Sequence, residues 1–390
     1  MRILDVRTRV LEWNGPVVRP PPNFCTTASD LVARDTVGVG AYSFLGWLVV
    51  EIETDAGVVG LGNAALAPHV TKLVIDRHLK PILLGENAFD IAWLWERMYR
   101  QTLPFGRKGA GMAAISAVDL ALWDAVGKAL GQPVFRLLGG RVKDRIEVYA
   151  SRLYAQPLDD LAREAAAYRD AGFRGVKLRF GWGPRDGAAG MRKNIDLLRT
   201  VRETVGDDVE VMGDCYMGWT LDYARRMLPL LAPLNLKWLE EPLVADEIDG
   251  YADLRAMNIV PIAGGEHEFT LRGFREIAER KAMDILQFDT NRVGGPTQAQ
   301  KIAALAEAFG LAVVPHAGQM HNYHVVMANV SAPLAEYFPK VPVEVGNELF
   351  WYIFDGEPVA VDGFVRLADD VPGLGLTLKP DLAADFILHE

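Results

Sequence analysis

The chain has 390 residues, of which half are hydrophobic and about a quarter charged, and its formal net charge is −10. This composition predicts a globular protein of one large domain or two, with a sizeable core. The acidic balance argues against a nucleic-acid partner, and no apolar run approaches the roughly 20 residues that span a bilayer. The two cysteines, Cys25 and Cys215, are too few for a disulfide framework, and residues 1–12 do not resemble a signal peptide. We therefore expect a cytoplasmic protein without a membrane or nucleic-acid partner.

The first 140 residues predict a small α+β unit. Alternating apolar residues over 3–10 indicate a strand, and the turn signal at 55–57 indicates a hairpin between strands at 45–54 and 58–62. Helical periods follow at 91–99 and 110–130. A Pro-rich stretch from Pro16 has no regular period until about Ser43. A long irregular segment of this kind is typically a functional lid or disordered.

From about residue 145, short apolar strands alternate with helices in steps of 23 to 27 residues. Strands are predicted at 146–150 and 175–179 and finally near 341–345. Between them, five strands are predicted that each end at a polar residue, namely Asp214, Glu240, Glu266, Asp289 and His316. This pattern predicts an α/β fold, a (β/α) barrel of the modified TIM type over 141–349. The α+β unit at 1–140 would form a capping domain. Residues 350–390 fit no further βα unit and are predicted to return to that domain and complete it.

Three of the strand-end residues, Asp214, Glu240 and Glu266, are candidate metal ligands. Active sites of such barrels lie at the carboxyl ends of the strands, where neighbouring carboxylates would repel one another unless a cation is bound. Ligands that are all oxygen favour one Mg²⁺ ion, with Mn²⁺ as the second choice, over Zn²⁺. A single carboxylate at a strand end is as often a helix cap or a solvated residue, but three in register favour the metal. Glu241, offset by one position, is expected to face away.

Asp289 and His316 end the next two strands and form a candidate catalytic dyad. An aspartate bound to one imidazole nitrogen fixes the tautomer and raises the basicity of the other nitrogen, so His316 is the candidate general base. The alternative is a structural histidine, which is also what we expect for His321 and His324. Glu336 is predicted near the end of the eighth strand, where a protonated carboxyl could donate to an enolate oxygen; the alternative is a surface glutamate.

Lys177 and Arg179 form a Lys-x-Arg pattern at the end of the second barrel strand. Strand alternation places both on one face, towards the site. There they could hold a substrate carboxylate or stabilise an enolate, or one of them could be a core charge paired with Asp214. Arg179 is a poor base because arginine does not deprotonate in proteins.

These stretches together resemble the enolase superfamily, in its mandelate racemase subgroup, over almost the whole chain. Within the subgroup the chain is similar to acid sugar dehydratases of the L-rhamnonate dehydratase type. The resemblance rests on the ligand series Asp214…Glu240…Glu266, the helix at 118–124, the Leu-Leu-Gly-Gly exit at 137–140, the Trp-Gly-Pro-Arg-Asp-Gly stretch at 182–187, Gly265-Glu266-His267 and Val313-Val314-Pro315-His316.

The resemblance implies a Mg²⁺-dependent reaction in which a histidine or lysine base forms an enediolate. By this resemblance Asp289–His316 is the dyad, Glu336 an electrophilic donor and His267 a substrate contact. The expected reaction removes the C2 proton of a sugar acid and eliminates the C3 hydroxyl, which gives a 2-keto-3-deoxy acid. Relatives are usually homo-oligomers, so we expect one here.

Two features depart from the family pattern. Lys177-x-Arg179 replaces the usual Lys-x-Lys, which argues against a second base and hence against a two-base racemase. The Pro-rich segment at 16–35 differs from that of the rhamnonate enzymes, and this lid, at 14–42, should select the distal end of the substrate. The alternative functions are a racemase, epimerase or cycloisomerase of the same fold and, more remotely, a non-catalytic metal-binding barrel.

Overall fold

An antiparallel sheet covered by helices forms the N-terminal part of the chain in the computed structural model, which describes residues 1–21, 23–31 and 44–390. Val6 and Val10 pack against the helices, whereas Leu11 joins the core of the rest of the protein. The elements are β1 (Ile3–Trp13), β2 (Gly46–Thr54), β3 (Val59–Ala64), α1 (Pro68–Val74), a π-helical turn (Ile75–Leu79), α2 (Lys80–Leu83), α3 (Ile91–Thr102), α4 (Ala110–Leu130) and α5 (Val134–Leu137).

Helix α4 is the centre of this unit and is buried on nearly every side. Its 21 residues are long and apolar enough to cross a membrane, so the prediction that the chain has no such run was wrong. However, 89% of the apolar part of this helix is buried inside the protein, as in the core helix of a globular protein. The helix lies very close to β3, because a Cβ atom at Gly62 would be only 2.0 Å from the carbonyl oxygen of Ala117. Its Asp119 accepts hydrogen bonds from the backbone and side chain of Thr297, which fixes the helix against the following part of the chain.

Residues 146–337 form eight parallel strands that alternate with seven helices, as the sequence predicts for a (β/α) barrel. The order across the sheet is β11–β4–β5–β6–β7–β8–β9–β10. Tyr149, Met212 and Trp238 form a separate buried cluster with Ala263 and Val314. The elements are β4 (Ile146–Leu153), α6 (Leu158–Asp170), β5 (Gly175–Arg179), α7 (Gly187–Val205), β6 (Glu210–Asp214), α8 (Leu221–Leu231), β7 (Leu236–Glu240), α9 (Ile248–Ala256), β8 (Ile262–Gly264), α10 (Thr270–Glu279), β9 (Ile285–Leu286), α11 (Gly295–Phe309), β10 (Ala312–Val313), α12 (Met320–Ala328) and β11 (Leu334–Tyr337).

The last barrel strand lies before the stretch predicted at 341–345, although Glu336 is near its end as predicted. It lies at β11 and contains Glu336, whereas residues 341–345 form no strand. The carbonyl of Val343 instead accepts a hydrogen bond from Val18, and that of Val345 accepts one from Phe44. A four-residue strand carries little periodic signal, so the more apolar stretch downstream was the misleading choice.

The C-terminal segment returns to the N-terminal sheet, as predicted. Its last strand pairs antiparallel with β1, and an earlier short strand pairs antiparallel with β4. The boundaries at residues 140 and 349 stay predictions. The elements are α13 (Phe350–Ile353), β12 (Phe354–Asp355), β13 (Phe364–Val365), β14 (Thr377–Leu378), α14 (Leu382–Asp385) and β15 (Phe386–His389).

Candidate active site

Six of the predicted site residues lie in or just after the carboxyl ends of successive barrel strands. The parallel pairing places Asp214 beside Glu240 and Arg179 beside Asp214, so chain order becomes position along one rim. None of the six is more than 7% exposed. The six are Asp214, Glu240, Glu266, Asp289, His316 and Glu336.

Lys177 is the central cation of the site and is completely buried. Its ammonium group lies 3.2 Å from Asp214 and 2.9 Å from Glu336, and it also contacts Glu240. Burial disfavours the charged lysine, but the three carboxylates outweigh this effect and hold its pKa well above the usual value. The three carboxylates therefore favour the charged form of Lys177.

Glu240 also accepts hydrogen bonds on its second oxygen, from the indole of Trp238 at 2.9 Å and the amide of Gln287 at 2.8 Å. Burial and the neighbouring carboxylates raise its pKa to about 7, against the attraction of Lys177. A carboxylate held by this many donors has little freedom to turn, which is what a preorganised ligand requires.

Arg179 extends the cationic side of the rim, since its guanidinium lies 3.5 Å from Asp214 and 5.1 Å from the ring centre of Tyr154. It also reaches the hydroxyl of Ser151 at 3.4 Å. The Lys-x-Arg pair therefore points into the site, as the alternation along β5 predicts.

The predicted dyad residues are in contact. Nδ1 of His316 lies 3.1 Å from Asp289, and Nε2 lies 3.3 Å from Glu266. Burial disfavours the imidazolium, but Glu266, Asp289 and Glu336 outweigh it and raise the pKa of His316. Its Nε2 therefore faces the predicted metal ligand while its Nδ1 is held by the aspartate.

Arg292 lies between Glu266 and Asp289 and was missed by the sequence analysis. Its guanidinium lies 3.1 Å from Glu266 and 3.0 Å from Asp289, and the side chain is buried. Burial opposes the ionisation of Asp289, but Arg292 and His316 outweigh it and lower the pKa of that carboxyl. The available signal was a basic residue three positions after the dyad aspartate, in a loop at the strand ends.

Glu336 lies beside the cations of the rim, and its role as a protonated donor to an enolate oxygen stays a prediction. It accepts a hydrogen bond of 2.7 Å from the backbone N–H of Ala317 and pairs with Lys177. Burial would favour its protonated form, but Lys177, His316 and Arg179 outweigh that effect and lower its pKa to about 2. The sequence places this glutamate at the rim but contains no information on the cations around it.

His267 lies at the edge of the site, where Glu241 holds it. Nδ1 of His267 is 2.7 Å from Glu241 and Nε2 is 3.8 Å from Glu266, and the ring packs edge to face against Tyr216. The expectation that Glu241 faces away was wrong, because this residue follows the strand with φ of 38° and turns back towards the rim. Burial opposes the charged imidazole, but the two glutamates raise its pKa.

Asp214, Glu240 and Glu266 share one rim but do not converge on one point. Within the described ranges, the group at the rim whose ligand atoms all lie within 4.8 Å of one another is Glu241, Glu266 and His267. The donor chemistry nevertheless suits a hard divalent cation, since six buried carboxylates face three permanent cations. The carboxylates are Asp214, Glu240, Glu241, Glu266, Asp289 and Glu336, and the cations are Lys177, Arg179 and Arg292.

A small pocket opens over these groups. The lining includes Phe44, Arg179, Asp214, Tyr216, Glu266, Arg292, His316 and Asn347. Most of these side chains are charged or polar, which suits a small polar ligand.

The described part of the predicted lid is attached to the barrel rim. Thr26 donates its backbone N–H to Phe180 and its hydroxyl to the carbonyl of Cys215, and Phe24 accepts from Ala155. A 3₁₀ turn follows at Ala28–Leu31. Residues 22 and 32–43 of the lid lie outside the described residues.

A capped (β/α) barrel with a buried, carboxylate-rich rim is the class of protein that this fold and site define. Residues 160–382 match the family described as enolase C-terminal domain-like, and residues 31–139 match the mandelate racemase / muconate lactonizing enzyme N-terminal domain. The chain belongs to the mandelate racemase and muconate lactonizing enzyme group of the enolase superfamily, which confirms the resemblance found in the sequence.

Individual relatives agree with this assignment. The chain is 40% identical over 354 residues to an L-rhamnonate dehydratase of Saccharopolyspora erythraea, covering 90% of this chain and 87% of that protein. The crystal structure of rhamnonate dehydratase from Gibberella zeae complexed with Mg is 32% identical, with a TM-score of 0.86 over 99% of this chain and 97% of that one. A 3,6-anhydro-D-galactonate cycloisomerase from Zobellia galactanivorans is 27% identical, with a TM-score of 0.83 over 99% of this chain and all of that one.

Proposed function

We propose that the protein is a Mg²⁺-dependent hydro-lyase that dehydrates a sugar acid of the L-rhamnonate type to a 2-keto-3-deoxy acid. The observation that carries the proposal is the buried His316–Asp289 pair beside Glu266. An oriented imidazole next to a carboxylate-rich rim is suited to removing a proton from the carbon beside a carboxylate. The similarity to L-rhamnonate dehydratases over most of the chain supports the substrate class.

Asp214, Glu240 and Glu266 would hold one Mg²⁺, with Mn²⁺ as an alternative ion. When bound, the ion supplies positive charge that stabilises an enediolate in a site largely shielded from water. The excess of buried carboxylates over cations at the rim supports a divalent ion there.

His316 is the proposed base. Asp289 keeps Nδ1 protonated and the ring fixed, so Nε2 can accept the C2 proton of the substrate. The C2–H electron pair then forms the enediolate, the C3–O bond breaks, and the departing hydroxide takes up the proton held by His316 to leave as water. The resulting enol tautomerises to the 2-keto-3-deoxy acid, so atoms and charge balance without an oxidant or reductant.

Lys177 and Arg179 are proposed as fixed positive charges that stabilise the enediolate or hold the substrate carboxylate. Glu336 forms an ion pair of 2.9 Å with Lys177 and is itself held by the backbone N–H of Ala317, which donates to it. A second base on the opposite face of the substrate is disfavoured, because three carboxylates favour the charged form of Lys177 and arginine does not deprotonate. This arrangement favours elimination over a two-base racemisation.

His267 is the proposed contact for a substrate hydroxyl, held in place by Glu241. The lid would then select the distal carbons of the sugar acid. We further propose that the enzyme acts in the cytoplasm as a homo-oligomer, without nucleic-acid or membrane partners; the two cysteines are free and buried, which is compatible with a reducing compartment.

The proposal is tested by incubating the protein with a library of sugar acids, with and without Mg²⁺, and detecting 2-keto acids with a carbonyl reagent. We expect a Mg²⁺-dependent product from L-rhamnonate or a close stereoisomer. The His316→Asn variant should bind Mg²⁺ normally and give no product, whereas a control variant of the distant His78 should be fully active. Normal turnover by His316→Asn would overturn the assignment of the base, and no keto acid from any sugar would favour a racemase, a cycloisomerase or a non-catalytic barrel.

A further inference from the structure

Three side chains on the surface of the N-terminal unit form a group with the composition of a transition-metal site. Glu12 lies near the end of β1, His69 in the first turn of α1, and His389 at the end of β15. Nε2 of His69 is 2.6 Å from one carboxylate oxygen of Glu12, and Nε2 of His389 is 2.9 Å from the other. Ligand atoms of all three residues lie within 4.8 Å of one another. None of the three belongs to the barrel rim.

The fold itself brings these residues together. In the antiparallel pairing of β1 with β15, Val10 is opposite His389 and Glu12 is opposite Ile387. Directly opposed residues point to the same face, so Glu12 and His389 are diagonal neighbours on one face of the sheet. This is the face on which the helices pack, since Val10 is buried among them. His69 reaches the same point from α1, and its ring packs edge to face against that of His389 with centroids 5.1 Å apart.

The chemistry of the group selects a particular kind of ion. The Nε2 atoms of both histidines lie within hydrogen-bonding distance of the same carboxylate. A metal ion bound between them would replace the N–H hydrogens that they donate to this carboxylate. Two neutral imidazoles and a carboxylate, completed by water, are ligands of Zn²⁺ and related transition metals. Mg²⁺ prefers a shell made only of oxygen, so the site would discriminate against the ion proposed for the barrel rim.

The neighbouring charges allow such an ion. Arg9 is paired with Glu390 at 2.7 Å, and Lys72 is paired with Asp76 at 2.8 Å. The basic residues nearest to Glu12 and His69 in the sequence are therefore already paired with carboxylates. Each of the three ligands is partly exposed to solvent, with side-chain exposures of 41–53%, so an ion can enter without opening the fold.

We propose that Glu12, His69 and His389 form a binding site for a Zn²⁺-like transition-metal ion. The bound ion joins the last strand of the chain to the first strand and to α1. Because β15 is the edge strand of its sheet, this link holds in place the element that is otherwise most easily detached.

The experiment counts zinc bound by the full, untagged chain in excess Mg²⁺, by equilibrium dialysis and metal analysis. The variants are His69→Gln, His389→Gln and Glu12→Gln, and the matched control is His78→Gln, which changes a histidine outside the group. Any zinc that enters the barrel rim is common to all five proteins, so the difference between them reports the surface site alone. The wild type and the control should bind one more zinc per chain than the three variants.

A second measurement follows amide hydrogen exchange at residues 386–389 with and without zinc. Zinc should slow this exchange several-fold in the wild type and in the His78→Gln control, and should have no effect in the three ligand variants. Mg²⁺-dependent turnover should be the same in all five. Melting curves without metal identify any variant that folds poorly, and the remaining ligand variants then carry the comparison. Equal zinc counts in all five proteins, or equal slowing of exchange, would overturn the proposal.

Discussion

Replacing Lys177 with Met tests whether the buried lysine compensates the carboxylates at the rim. Met keeps much of the length of the side chain and removes the charge. Lys177 lies 3.2 Å from Asp214 and 2.9 Å from Glu336, and also contacts Glu240. At an effective dielectric constant of about 20, each such pair is worth about 5 kcal/mol before desolvation is subtracted.

The net effect of the substitution is smaller than these gross attractions. Removing one partner of a buried ion pair typically costs about 3 to 5 kcal/mol, because an uncompensated charge is left behind. A protein of ordinary stability has about 5 to 15 kcal/mol in total. Lys177→Met should therefore lose a large fraction of its unfolding free energy in metal-free buffer.

The measurement is urea-induced unfolding in EDTA and again in saturating Mg²⁺. A divalent cation bound to the same carboxylates would supply part of the missing positive charge, so the loss should shrink in Mg²⁺ by at least about 1 kcal/mol. Turnover of the folded variant should fall about 10²- to 10³-fold, as for the loss of a preorganised group that stabilises developing charge.

Lys237→Met is the matched control. This lysine pairs with Glu210 at 3.0 Å on the surface, where both side chains are partly exposed, and its loss should cost about 1 kcal/mol or less. If Lys177→Met unfolds like the wild type in EDTA, or if its loss of stability is the same with and without Mg²⁺, the reasoning about charge compensation is refuted.

Three further predictions concern the aspartate that orients the base, the glutamate that holds His267, and one of the two buried histidines of α12. Asp289→Asn should lower kcat by about 10²- to 10⁴-fold with Mg²⁺ affinity retained, since the amide favours the wrong tautomer of His316; wild-type kcat would exclude the dyad. Glu241→Gln should raise KM about 10- to 100-fold, because His267 loses a charged hydrogen bond, with kcat changed less; an unchanged KM would contradict this role. Burial lowers the pKa of His324 to about 4, so the folded state favours the neutral imidazole. The unfolding free energy should therefore fall as the pH drops from 6.5 to 4, by up to about 1.4 kcal/mol per pH unit. Urea titrations at several pH values in this range give the unfolding free energy, which should fall less steeply with pH in His324→Gln than in the wild type. An equal dependence on pH in the two proteins would refute the proposal that His324 is buried in its neutral form.

Much of the fold could be predicted from the sequence because it is expressed in local patterns. The alternation at the start of β1, the helical period of α4 and the regular steps between barrel strands are properties of neighbouring residues. The position of polar residues directly after apolar strands is local as well. In a parallel barrel these positions must meet at one rim, so Asp214, Glu240 and His316 could be assigned to one site before any coordinate was known.

The tertiary structure decided what depends on distance between remote segments. Arg292 links Glu266 to Asp289, and Glu241 turns back to hold His267. The sequence around Arg292 shows a basic residue near the rim but does not show which carboxylates it pairs with. The charge state of Glu336 could not be predicted from the sequence for the same reason, since it depends on Lys177, which lies 159 positions away in the sequence. A sequence shows which residues can ionise, but burial and the charges within a few ångströms determine whether they do, and only the folded chain brings those charges together.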